Sequence, residues 1–324
     1  MPKKMLVHEV GGPEKLSWED VPAAPLGRGE ARIRHTAIGL NFIDVYFRTG
    51  IYKAPSSPFV PGQEAAGVVE EIGPEVTDVK VGDRVAYAGV PGAYCESRVI
   101  AAARLVPLPE EISDQQAAAI MLKGMTAQYL LSRCGRPQRG DTVLFHAAAG
   151  GVGLLACQWA KHLGVEVIGT VGSAEKARLA FDRGCAHVIN YNKENFVHQV
   201  NDITHSAGVA VVFDSVGKTT FRASLDCLRA RGMMVSFGQS SGLVPPLDIT
   251  ILSIKGSLFL TRPTLASYIG TRTELLETAG DLFDVVRSGA VKVDIGQTYA
   301  LKDVARAHTD LEARATTGST VLLP

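Results

Sequence analysis

One stretch constrains this chain more than any other: Thr142-Val143-Leu144-Phe145-His146-Ala147-Ala148-Ala149-Gly150-Gly151-Val152-Gly153. A run of strand formers enters a turn of small residues. A segment then follows in which Leu155, Trp159 and Leu163 recur every four residues, the spacing of one helix face. Gly150 and Gly153 match the second and third glycines of Gly-x-Gly-x-x-Gly, and Ala148 replaces the first. The second glycine lets the backbone approach a pyrophosphate, and the third lets helix and strand pack closely. The helix N-terminus, opening at about Val152, presents free N–H groups and a partial positive charge to the phosphates. A bare Gly-x-x-Gly occurs in many turns, so the context decides. Five further candidate strands follow, at 165–170, 186–190, 209–213, 233–237 and 255–260, with helical stretches at 174–183, 193–201 and 219–229 between them. Six strands with helical crossovers predict a doubly wound parallel sheet of the α/β class, with a dinucleotide at its carboxyl edge.

The end of the second strand indicates which dinucleotide. A site for NADH usually carries Asp or Glu there, to hold the ribose 2′-hydroxyl. This chain has Gly169-Thr170-Val171-Gly172-Ser173-Ala174-Glu175-Lys176-Ala177-Arg178. Gly172 and Ser173 leave room, and Lys176 is placed to meet a 2′-phosphate, with Arg178 one helical step further round. Glu175 points the other way unless it faces solvent, and Lys176 read blandly is an ordinary surface lysine. The expected cofactor is NADPH.

The flanking segments have another texture. Residues 1–122 read as short strands with glycine and proline punctuation: 31–38 alternates apolar and polar, 65–73 ends at a turn, and 81–86 and 92–99 supply two more. That predicts a small β-rich domain. The tail, 263–324, holds an amphipathic helix at 271–288, a second at 303–312 and an edge-like strand Ser319–Leu323; its pattern does not say which domain it closes.

Composition narrows the function classes. Lys+Arg and Asp+Glu are 33 each, so net charge gives no support to a nucleic-acid coat or membrane-surface binder. Apolar runs fall far short of the roughly 20 residues of a membrane helix. The start lacks a signal-peptide hydrophobic region, so the chain reads as cytoplasmic. Cys95, Cys134, Cys157, Cys185 and Cys227 are isolated, with no Cys-x-x-Cys and no His-Glu-x-x-His. The expectation is chemistry without a protein-bound metal.

The glycine loop with Gly140-Asp141, Gln158 and Lys161 resembles the medium-chain dehydrogenase/reductases, within them the quinone oxidoreductase (zeta-crystallin-like) group. Gly39-Leu40-Asn41-Phe42-Ile43-Asp44, Pro61-Gly62-Gln63-Glu64-Ala65-Ala66-Gly67, Gly82-Asp83-Arg84-Val85 and Arg314-Ala315-Thr316-Thr317-Gly318 extend the likeness over essentially the whole chain. The resemblance implies a GroES-like catalytic domain over 1–122, completed by 263–324, around a Rossmann NADPH-binding domain over 123–262. Zinc-dependent relatives carry a ligand Cys about where Asn41 stands, and Gly-His-Glu where this chain has Gly62-Gln63-Glu64. Amides bind zinc poorly, so both ligand positions look lost together.

Without a metal the substrate must accept hydride readily, as quinones and conjugated enones do. The resemblance implies an acceptor pocket of Asn41, Asp44, Tyr46, Tyr52 and Tyr129. The tyrosines offer phenolic donors and apolar faces, and Asn41 can bond substrate or nicotinamide ribose. Asp44 can orient a tyrosine or relay a proton; its bland alternative is an acid on a helix surface. The same resemblance implies cofactor contacts from Met125, Thr126, Ala149, Gly150, Gly151, Val152, Gly172, Ser173, Lys176, Tyr191, Ser215, Phe237, Gly238, Ser240 and Arg314. It further implies a homodimer joined near 235–242 and 254–260. Three functions follow as expectations: an NADPH-dependent quinone reductase, a reductase of α,β-unsaturated carbonyls with overlapping chemistry, and a structural (crystallin-like) or RNA-binding protein, which no feature of the chain supports.

Overall fold

The alternation at 31–38 becomes a long strand, β3 (Glu30–Leu40), with Ala31, Ile33, His35 and Ala37 buried and the residues between them more open. It organises the first of two units in the computed structural model, which describes residues 1–324. This unit comprises Met1–Met125, Ile269–Arg287 and Val293–Pro324. Strands are numbered in chain order. An antiparallel pair, β1 (Lys3–Val7) and β2 (Leu16–Asp20), stands apart from the main sheet. The sheet combines β3, β4 (Glu64–Ile72), β5 (Arg84–Ala88), β6 (Ser97–Ala101), β7 (Val106–Pro107), β14 (Ile295–Ala300) and β15 (Ser319–Leu323), in the order β14-β15-β3-β4-β5-β7 with β6 also on β3. The tail joins this unit through β15, where Thr320 lies opposite Leu40. Ile33, Ile38, Leu40, Val69, Tyr87, Tyr94 and Leu322 form its core, each buried aliphatic contributing about 1.5–3 kcal/mol. Helices α1 (Phe42–Arg48), α8 (Arg272–Arg287) and α9 (Val304–Glu312) belong here, and α2 (Asp114–Tyr129) carries the chain across the boundary.

The second unit is Thr126–Tyr268 with Ser288–Lys292. Its strands are β8 (Thr142–His146), β9 (Glu166–Val171), β10 (His187–Asn190), β11 (Val209–Asp214), β12 (Leu228–Ser236) and β13 (Phe259–Thr261), all parallel in the order β10-β9-β8-β11-β12-β13. The chain starts mid-sheet at β8, winds outward to β10, and returns to wind the other way. This is the doubly wound Rossmann order, with its switch point between β8 and β11. Helices α3 (Gly151–His162), α4 (Ala174–Asp182), α5 (Phe196–Ile203), α6 (Phe221–Ser224) and α7 (Thr250–Ile254) connect the strands. The short segment 288–292 is tied in by Gln158, which donates to Lys292 O and accepts from Lys292 N.

Several elements differ from the pattern-based expectation: β5 and β6 start at Arg84 and Ser97, β12 starts at Leu228, and α1 and α2 have no counterpart in it. Helix α5 starts at Phe196, three residues late, because Asn195 Oδ1 caps Val197 and His198 N–H. The helix expected over 219–229 is α6 plus a 3-10 turn, since β12 begins at Leu228. The last strand shortens to Phe259–Thr261 because Gly256 (φ +104°) and Ser257 (φ +56°) take left-handed conformations that no strand accommodates. No helix is long and apolar enough to cross a membrane.

Candidate active site

In the second unit, β8 delivers the chain into a tight loop. Ala147 has φ +55°, and Gly150 N–H closes on Ala147 O. The first helical bond of α3 runs from Leu154 N to Gly150 O. The N–H groups of Gly151, Val152 and Gly153 therefore precede it and have no acceptor within the helix. A Cβ on Gly153 would lie 2.5 Å from Ala147 O and 2.6 Å from Ala148 O, whereas one on Gly150 would meet only Ala147 O, at 3.2 Å. Packing thus demands glycine at 153 and constrains position 150 less severely.

Beside this loop, Ser173 caps α4: its Oγ accepts from Lys176 N at 3.2 Å. That places the Lys176 side chain on the first turn, half-buried, while Glu175 and Arg178 are exposed. A Cβ on Gly172 would lie 2.7 Å from the Tyr191 hydroxyl, the far end of an exposed side chain that can swing aside. Asn192 Nδ2 donates to Gly172 O at 2.7 Å, a clamp the sequence reading missed. Gly172, Ser173, Lys176 and Tyr191 thus come together at the carboxyl ends of β9 and β10.

The loops after β11 and β12 are laced to each other. Asp214, fully buried, accepts from Val216 N, Gly217 N and Thr220 Oγ1. Ser240 N donates to Ser215 O, and a Cβ on Gly238 would fall 2.6 Å from the same oxygen. Phe237 N–H bonds Asp214 O, and its ring lies 5.8 Å from Phe145. Ser215, Phe237, Gly238 and Ser240 therefore form one rim at the sheet's carboxyl edge. Tyr129 is 2% exposed and stacks flat on Tyr268, ring centroids 4.4 Å apart; burial pushes its hydroxyl pKa up. Thr126 is half-buried in this unit.

The remaining residues lie in the first unit. Asn41 and Asp44 close a capping box at the start of α1, where Asp44 Oδ2 accepts from Asn41 N at 2.9 Å. Tyr46 packs edge-on against Tyr52 with centroids 5.2 Å apart. Asn41 Nδ2 donates to Glu64 Oε1 at 2.7 Å, and Lys123 Nζ lies 2.9 Å from the same oxygen. Glu64 Oε2 accepts from Leu122 N. Glu64 has no exposure and Lys123 only 6%. Sequence alone gives neither a role: Glu64 follows Gln63 in the Gly62-Gln63-Glu64 run, and Lys123 lies in no motif. Met125 is fully buried, and Arg314 is exposed at φ +58° just beyond α9.

Asp44 departs from its helix-surface alternative: it is 0% exposed. Burial pushes its carboxyl pKa up to about 7, against hydrogen bonds from Tyr94 and Asn41 that lower it. Oδ1 has no hydrogen-bond partner. Tyr94 donates to Oδ2 at 2.8 Å and lies 3.1 Å from His308 Nε2, while Arg48 Nη1 lies 3.2 Å from His308 Nδ1. Arginine only donates, so Nδ1 accepts and Nε2 carries the proton; Tyr94 then accepts from His308 and passes its own hydrogen to Asp44. Burial holds His308 neutral, its pKa near 3. Arg48, 1% exposed, ends the line in a two-pronged pair with Glu312. The tyrosine that Asp44 orients is Tyr94, and the same Oδ2 joins Asp44 to Asn41.

Comparison with known proteins fits this arrangement. Residues 27–110 match the alcohol dehydrogenase GroES-like domain and residues 151–284 match the zinc-binding dehydrogenase model. A quinone oxidoreductase of Pseudomonas aeruginosa is 54% identical, with all of both chains covered. The chain belongs to the quinone oxidoreductase group of the medium-chain dehydrogenase/reductases. A 2-haloacrylate reductase of a Burkholderia species is 46% identical over 98% of each chain. The Escherichia coli quinone oxidoreductase complexed with NADPH superposes with a TM-score of 0.98, at 49% identity over 99% of this chain and 100% of that one.

The family model's description implies zinc, and the residues present do not fit it. Asn41 Nδ2 is committed as a donor to Glu64, and the Lys123 ammonium already sits on Glu64 Oε1. Gln63 offers only another amide, and no three His, Cys, Asp or Glu side chains converge.

Proposed function

We propose that this protein is an NADPH-dependent quinone oxidoreductase that works without a metal. The observation that carries this reading is the pairing of a glycine-tight phosphate loop with a strand end of Gly172, Ser173 and Lys176 lacking any acid. Gly151, Val152 and Gly153 N–H groups hold the pyrophosphate. Lys176 and the Ser173 hydroxyl take the 2′-phosphate, and Tyr191 borders the adenosine. Thr126, half-buried at the start of the nucleotide unit, borders the nicotinamide ribose, while Met125 is fully buried and is not a contact. Bound NADPH supplies the hydride. Asn41, fixed by Glu64 and by the capping box, orients acceptor or ribose. Tyr46 and Tyr52 give a flat acceptor apolar faces and phenolic donors, whereas Tyr129, buried with its ring face covered by Tyr268, offers no such face. Orientation of this kind lowers a barrier by up to about 7–11 kcal/mol.

The similarity to a 2-haloacrylate reductase supports a second reading, reduction of α,β-unsaturated carbonyl compounds at the same site. Anaerobic turnover of 1,4-benzoquinone and of an alkenal, each with NADPH and NADH, separates them. The quinone reading expects fast benzoquinone reduction with NADPH and slow reduction with NADH. Alkenal turnover with an inert quinone would replace it by the second reading.

We also propose a homodimer joined along β13. This strand ends the sheet with its outer edge unpaired, and Ile254, Phe259 and Leu260 are 81%, 58% and 38% exposed. Nucleic acid is not an expected partner, and the chain is expected to act in the cytoplasm. A monomeric mass by light scattering at micromolar concentration would refute the dimer.

A further inference from the structure

Lys123 is an ammonium that its surroundings leave incompletely used. It is 6% exposed, has three N–H donors, and is given one acceptor, Glu64 Oε1 at 2.9 Å. Glu64 does not need it for its own hydrogen bonds, since Asn41 Nδ2 and Leu122 N already donate to it. Burying such a pair is costly. A neutral pair of similar volume is often as stable or more so, so a buried ion pair is weak evidence of a stabilising role. Two buried N–H donors without acceptors add to that cost. The chain nevertheless builds for this cation: α2 approaches so closely that a Cβ on Gly39 would collide with both Ala118 O and Glu64 Oε1. Glu64 accepts a backbone N–H from within α2 itself. The carboxylate that fixes Lys123 also fixes Asn41.

We propose that Lys123 is a catalytic electrophile: its two spare N–H groups bind the oxygen of the hydride acceptor on which negative charge develops. This rests on the reductase reading of the same site and deepens it. It names the substrate class as compounds whose reduction places charge on a carbonyl or carboxylate oxygen, which quinones and conjugated carbonyls share. Hydride adds two electrons and one hydrogen to the acceptor, and the oxygen becomes anionic. Lys123 holds that anion by charge-assisted hydrogen bonds, and the second hydrogen is taken as a proton from water. Glu64 positions the ammonium and balances its charge while the acceptor is absent. Preorganised donors of this kind are worth about 10²–10³ in rate.

The test uses a doubly neutral variant, Lys123→Met with Glu64→Gln, so that no buried charge is stranded and Asn41 keeps an acceptor. Circular dichroism and melting establish that it folds. The first readout needs no turnover: 4-nitrophenol is titrated into the free enzyme, its colour reporting ionisation of a phenol that stands in for the anionic product. Wild type is expected to lower the bound phenol's pKa below that of free nitrophenol, and the variant to restore it. The second is single-turnover hydride transfer from NADPH to 1,4-benzoquinone, expected to fall about 100-fold in the variant. Equal nitrophenol pKa values in the two proteins, no nitrophenol binding by wild type, or hydride transfer unchanged in the variant would each overturn the proposal. A wild type that ionises bound nitrophenol through Lys123 yet reduces neither quinone nor enone would retain the anion site and retire the reductase reading.

Discussion

Asp44 makes a testable demand on stability. Its carboxyl moves from an ordinary 3.8 to about 7, chiefly through burial. Between those values the folded state binds one proton more than the unfolded state. Stability is therefore greatest below 3.8, falls as pH rises through that window, and is flat above it. At about 1.4 kcal/mol per unit, the loss is roughly 4 kcal/mol. Asp44→Asn keeps an oxygen to accept from Asn41 N and Tyr94, and sets an amide NH₂ where Oδ1 has no partner. That unpartnered amide costs about 1–3 kcal/mol, independent of pH. Wild type should thus be the more stable by about 1–3 kcal/mol at pH 4 and the less stable by about as much at pH 8. The assay is urea unfolding across this range, read by Trp18 fluorescence after Trp159→Phe in both proteins. Buried His35 and His308, with pKa values near 4 and 3, impose the opposite slope, losing stability as pH falls below 6.5. They are common to both proteins and cancel in the difference. A wild-type-minus-variant difference that stays constant from pH 4 to 8 would refute the buried-carboxyl argument.

Other consequences follow from single contacts. Lys176→Ala should raise KM for NADPH by roughly 10–100-fold and leave NADH unaffected, as steady-state kinetics with both would show. Gly153→Ala drives a methyl against Ala147 O and Ala148 O; melting should reveal a loss of about 1–3 kcal/mol, and calorimetry a loss of NADPH affinity. Arg48→Ala removes a fully buried guanidinium shared by His308 and Glu312. It should cost about 3 kcal/mol in urea unfolding without changing the NADPH-to-NADH preference.

The nucleotide unit was legible because its determinants are local. Strand, glycine turn and helix lie within 142–163, and the missing acid at the next strand end falls inside one ten-residue window. The alternating pattern of 31–38 likewise announced β3. Boundaries slipped where a single residue overrode periodicity, as Asn195 did by capping α5 and Gly256 by breaking the last strand. The catalytic surroundings were less legible because their partners are remote. Lys123 meets Glu64 across 59 positions, and Tyr94 meets His308 across 214. Neither Lys123 nor His308 sits in a motif, and only folding gives either a role. Asp44 shows the limit from the other side. Its three-residue spacing from Asn41 is that of a capping box, but nothing in the sequence says that the same carboxyl is sealed from water.

The central claim, hydride transfer to a quinone by amino acid side chains and NADPH without a metal, has a direct test. Enzyme dialysed against EDTA and 1,10-phenanthroline is assayed anaerobically for NADPH oxidation by 1,4-benzoquinone, with metal content measured on the same sample. The account predicts full turnover at negligible metal per chain. Activity that disappears with the metal and returns with added zinc would contradict it.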